Sequence, residues 1–126
     1  MNAQRRLFTI RVPSTSFTTG AYWDGNGVSP AIRFGYIKDG KQVQDGIKFD
    51  HVCATRTRAE RCCTVWHIED AYDTLVEVED SPWVREIRLD TKELWRNEWE
   101  MHHYMIYLDS AGCFEIIAAS WARVTE

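Results

Sequence analysis

The sequence predicts an α+β domain dominated by antiparallel β-structure: about six to eight strands, cupped or barrel-like, with one or two short helices. Three observations carry this prediction. Strand-length runs of β-branched and aromatic residues recur through most of the chain. Two tight-turn signals, Asp39-Gly40 and Asp109-Ser110-Ala111-Gly112, sit between such runs. Only Ser81-Pro82 has a strong helix start, with a capping hydroxyl followed by a proline suited to the first helical position. A length of 126 residues and an apolar fraction of 44% suit one domain, residues 1–126, with a filled core.

In chain order, Arg6 to Val12 alternates weakly and reads as a first strand stopped by Pro13. Residues 14–30, rich in Ser, Thr, Gly and Asn, read as a long loop carrying Phe17, Tyr22 and Trp23. Ile32 to Ile37 is a strand that turns back at Asp39-Gly40. Asp45-Gly46 offers a second turn or a bulge. Ile47 to Thr57 and Arg61 to Ile68 read as two strands joined near Arg58-Ala59-Glu60. Tyr72 to Glu79 fits both periods, and its β-branched Thr74, Val76 and Val78 decide for a strand. A helix follows over residues 82–88, and a second over about 91–98 carries Trp95 and Trp99. His102 to Leu108 and Cys113 to Ala119 form the clearest hairpin, with Cys113 opposite Leu108. Trp121 to Val124 closes the chain as a last strand.

Charge is distributed unevenly. Residues 1–67 hold ten Lys/Arg against five Asp/Glu, a net of +5; residues 68–126 hold five against fourteen, a net of −9. The densest acidic stretch, residues 67–80, has six carboxylates and no Lys or Arg. Such a stretch either neutralises a basic surface of its own protein or meets a basic partner. An acidic domain without a nucleic-acid motif argues against nucleic acid as the partner. No apolar run is long enough to span a bilayer, which argues against a membrane role, and the N-terminal stretch is broken by Arg11 and Pro13 before it can act as a secretory signal. A cytoplasmic location is expected, with Cys53, Cys62, Cys63 and Cys113 as free, mostly buried thiols.

Three constellations were candidates for chemistry. His51, Cys53, Cys62, Cys63 and His67 have the residue types of a zinc site. On a strand, however, Cys63 and His67 stand about 13 Å apart, beyond one ion's reach. The smaller set of His51, Cys53 and His67 lacks a fourth ligand, so these residues are expected to be structural and no metal or other cofactor is expected. In the last hairpin, His102 and His103 point to opposite faces and lie too far along the strand from Cys113 for a dyad. Glu115, inside the apolar run Cys113–Ala119, is expected at an edge facing water. If buried instead, it lies opposite Ile106 or Tyr107 and needs a partner.

The leading expectation is a small acidic, non-enzymatic binding or inhibitor protein of the immunity-protein kind, which neutralises a basic protein partner such as a nuclease toxin. Glu77, Glu79, Asp80, Trp83 and Trp95 form its expected contact surface. The alternative is a small-ligand or enzymatic pocket in a cupped sheet, lined by Tyr22, Trp23, His103, Tyr107 and Glu115. A homo-oligomer that pairs the basic half of one copy with the acidic half of another is a third possibility.

Overall fold

A computed structural model describes residues 3–25, 30–95, 98 and 100–124. Among these residues the chain forms nine strands in two sheets. The strands are β1 (Gln4–Thr9), β2 (Thr19–Asp24), β3 (Ala31–Lys38), β4 (Lys41–Asp50), β5 (Ala54–Arg58), β6 (Thr74–Val78), β7 (His102–Leu108), β8 (Gly112–Ala118) and β9 (Ser120–Arg123). One sheet has the order β1-β6-β7-β8-β5 and the other β2-β3-β4-β9, and every neighbouring pair is antiparallel. The sheets do not close into a barrel; they pack against each other across a shared core. Two helices, α1 (Val65–Ile68) and α2 (Pro82–Asp90), and three single 3₁₀ turns complete the described elements.

Alternation in the strands builds the core. Ile32, Phe34 and Tyr36 of β3, with Ile47 and Phe49 of β4, meet Tyr104, Ile106 and Leu108 of β7 and Phe114, Ile116 and Ala118 of β8. Phe34, Phe49, Ile106 and Ile116 are almost completely buried, each worth about 1.5–3 kcal/mol in area removed from water. An extra residue in β1, between Arg6 and Phe8, lets both Leu7 and Phe8 reach this core.

β8 is buried on both faces. Its odd-numbered residues face away from the second sheet, into a smaller layer where Cys113 packs with Met105, Tyr107, Val76 and Ala71. Residues 59–73, including α1, and the start of α2 cover that outer face.

Several expectations need correction. The segment 14–30 is not one long loop: it holds a 3₁₀ turn at Ser14–Ser16 and the strand β2, while residues 26–29 lie outside those described. Asp39 and Gly40 do form the β3–β4 turn, both with positive φ. Asp45-Gly46 neither turns nor bulges, because β3 and β4 stay in register straight through it. Gly46 is there because a Cβ would lie 2.5 Å from the Ile32 carbonyl oxygen.

Residues 61–68 are not a strand. They form a 3₁₀ turn at Glu60–Cys62 followed by α1, which Thr64 caps by accepting the His67 N–H. β5 therefore pairs with β8. The second expected helix reduces to a 3₁₀ turn at Glu93–Trp95, and Trp99 lies outside the described residues. Only Cys113 is buried; Cys62 is exposed, and Cys53 and Cys63 are intermediate.

Candidate functional site

The central group is Glu115, at the middle of β8. It is not at an edge: β8 lies between β7 and β5, and Glu115 is only 4% exposed. The β7–β8 register places Met105 opposite it, one residue away from the expected pairing, with Tyr107 opposite Cys113. Arg56 lies directly across on β5 and clamps both carboxylate oxygens, Nε to Oε2 and a terminal nitrogen to Oε1, each at 3.1 Å. His103 Nε2 lies 2.8 Å from Oε1. Burial alone would raise the Glu115 pKa. Hydrogen bonds and charge from His103 and Arg56 outweigh it and hold the carboxyl at about 2.

With Glu115 ionised, His103 Nε2 carries the proton in this contact. In the neutral ring Nδ1 then accepts from the Ser81 hydroxyl, at 2.7 Å. Ser81 Oγ in turn accepts the Val84 N–H at 3.2 Å and so caps α2. Trp83, in the first turn of α2, meets the His103 ring edge-on, and the Arg56 guanidinium lies 4.0 Å from the centre of the Trp83 ring. A connected set of polar contacts thus runs from the N-terminus of α2 through the outer layer to β5.

His67 and Cys113 stand beside this set. His67 Nε2 lies 3.8 Å from Glu115 Oε2, too far for a hydrogen bond, and its Nδ1 is buried without a partner. Burial, and then the Arg58 charge, lower the His67 pKa. Burial and the nearby Glu115 carboxylate push the Cys113 thiol well up. Donor atoms of His67, Cys113 and Glu115 all lie within 4.8 Å of one another. This is the His/Cys/acid group that converges among the described residues, rather than His51, Cys53 and His67. His51 occupies an exposed turn with φ 53°, and the Cys53 thiol donates to the His51 carbonyl.

A second feature is an open groove of about 460 Å³ beside α2's N-terminus, lined by Glu77, Glu79, Asp80, Ser81, Arg85 and both histidines of β7, among others. As expected, His102 and His103 point to opposite faces: His103 is buried and His102 is half-exposed. Glu77 bonds to Arg5 at 2.7 Å and to His102 Nδ1 at 2.8 Å, and Glu100 contacts His102 Nε2 at 3.1 Å. Burial would lower the His102 pKa, but its bonds to these two carboxylates raise it.

The expected contact residues therefore separate. Glu77, Glu79 and Asp80 line the groove, Trp83 packs on Arg56 and His103, and Trp95 stands 47% exposed in its 3₁₀ turn. The alternative pocket set separates too. His103 borders the groove, whereas Trp23 and Glu115 border a cavity of about 30 Å³, room for roughly one water. Tyr22 is 49% exposed, and Tyr107 packs against Tyr72 on the outer layer.

Arg56 is the member of this set that the sequence does not single out. The signal for it was Glu115 itself, since a carboxylate in an apolar run requires a cation on a neighbouring strand. No family model matches the chain, and neither curated proteins nor solved structures give a match.

Proposed function

We propose that this protein is a small non-enzymatic binding protein, of the inhibitor kind, that receives a basic side chain of a protein partner in the groove beside α2. One observation carries the reading: Glu77, Glu79 and Asp80, nominated from charge pattern alone, line the same open groove of about 460 Å³. Glu77 shares its charge with Arg5 and His102, and Glu79 and Asp80 are exposed at the same groove. Trp83, half-buried at the start of α2, keeps that end of the groove in place through its packing on Arg56 and His103.

A fluorescein-labelled nona-arginine peptide is a direct probe, read by fluorescence anisotropy at low and high salt. The unmodified protein should bind it with an affinity that falls steeply with salt, and Glu79→Lys with Asp80→Lys should weaken binding by roughly tenfold at low salt. No binding, or equal binding by the double variant, overturns the proposal.

A further inference from the structure

We propose that His67, Cys113 and Glu115 are the protein ligands of a zinc ion, at a site that His103 joins to the groove through its bond to Glu115. The first ground is convergence. An imidazole from α1 meets a thiol and a carboxylate from β8, the three ligand classes zinc takes, with donor atoms within 4.8 Å of each other. Zinc bonds of about 2.0–2.3 Å at tetrahedral angles require donors about 3.3–3.7 Å apart, so the group needs to close by only about 1 Å.

The second ground is the state of His67. Among the described residues its ring makes no hydrogen bond, although Nδ1 is fully buried, and Nε2 faces Glu115 Oε2 from 3.8 Å. Nε2 is therefore the nitrogen available to a metal, while the buried Nδ1 keeps no partner among the described residues.

Arg56 is the competing cation. It holds Glu115 through Nε and a terminal nitrogen, but its side chain is 49% exposed and lies against Trp83. It can keep the Oε1 contact while zinc takes Oε2. The step balances simply: the Cys113 S–H bond breaks, its proton passes to the buffer, and the sulfur–zinc bond forms. Thiolate and carboxylate then carry two negative charges against the ion and the Arg56 guanidinium, a net of +1, with no change in oxidation state. Three protein ligands are the number found in zinc sites that keep a fourth position for an exchangeable group.

The sequence suggests an extended strand through Cys63 and His67, which hides the site. The turn and α1 instead bring His67 over β8, to a cysteine that was not in the nominated set.

The test is cobalt(II) and zinc titration of the full chain, freed of metal and kept reduced. Cobalt should give the visible bands of a tetrahedral site and a near-ultraviolet thiolate charge-transfer band. Calorimetry in buffers of different ionisation enthalpy should show about one proton released per zinc. Cys113→Ser should remove the charge-transfer band. His67→Gln, which breaks no hydrogen bond and should fold normally, should weaken zinc at least tenfold and abolish the rise in Tm that zinc gives the unmodified protein. Cys53→Ser should bind as the unmodified protein does. A missing charge-transfer band, undiminished binding by His67→Gln, or loss of binding in Cys53→Ser overturns the proposal.

Discussion

Glu115→Gln is the sharpest test of the outer-layer network. Glutamine keeps the shape and the acceptor oxygen but has no charge, so it imitates the protonated carboxyl. The folded carboxyl titrates at about 2 against an ordinary value of 4.5, a difference of about 2.5 units. At about 1.36 kcal/mol per unit, the ionised form contributes about 3 kcal/mol. The residue is 4% exposed, so solvent screens little of this. Because the folded value is depressed, the stabilisation is complete above about pH 4.5 and is lost as pH falls toward 2.

Urea unfolding in the presence of chelator should therefore show Glu115→Gln about 3 kcal/mol less stable at pH 7, with the gap closing between pH 4.5 and 2. That is a fall of roughly 10–15 °C in Tm for a chain of this size. A gap under 0.5 kcal/mol at pH 7, or one that persists unchanged at pH 2, would mean that Arg56 and His103 do not stabilise the charge.

Other perturbations read different parts of the same structure. Ser81→Ala removes the cap of α2 and leaves His103 Nδ1 without its partner, so chemical denaturation should show a loss of about 2–3 kcal/mol. Gly46→Ala places a Cβ against the Ile32 carbonyl and should cost about 2 kcal/mol or more, measured the same way. By NMR titration, His102 should titrate above 6.5, and Glu77→Gln should lower that value. Since the folded value is raised, stability from this contact is present below about pH 6.5 and fades as pH rises through the folded value. The stability gap between the unmodified protein and Glu77→Gln should shrink over that interval.

The sequence displayed some of this architecture and hid the rest for identifiable reasons. The two hairpins, the start of α2 and the strand β6 follow from local chemistry: positive-φ turn residues, a capping serine before proline, and β-branched alternation. The strand β2 was hidden by its Thr- and Gly-rich neighbours. α1 was hidden because Thr64, Val65 and Ile68 favour extended backbone; a side-chain cap and packing over the outer layer outweigh that preference. The β7–β8 register slipped by one residue because β8 is apolar on both faces, so hydrophobic alternation cannot fix it. The three-residue turn 109–111, with Ser110 at φ 68°, fixes it instead. That step puts Met105 opposite Glu115; Arg56 was hidden for another reason, because the sequence pairs the β5 segment with residues 61–68 and not with β8.

The charge asymmetry of the sequence is partly a consequence of this topology. β1 lies beside β6 and β5 beside β8, so basic residues of the first half meet acids of the second: Arg5 with Glu77 and Arg56 with Glu115, while Arg6 reaches Asp70 just before β6. Further acids shape the backbone, since Asp39, Asp73 and Asp80 all hold φ near 50°, which aspartate tolerates better than most residues. Between Glu79 and Glu100, the acids Glu79, Asp80, Glu86, Asp90, Glu93, Glu98 and Glu100 are all exposed, Glu100 in contact with His102. A basic partner of the kind proposed would meet Glu79 and Asp80 of this stretch at the groove. Binding lost on Glu77→Lys alone would report the loosening of Arg5 and His102 from β6. Binding lost on Glu79→Lys with Asp80→Lys, with stability unchanged, would report contact with the partner.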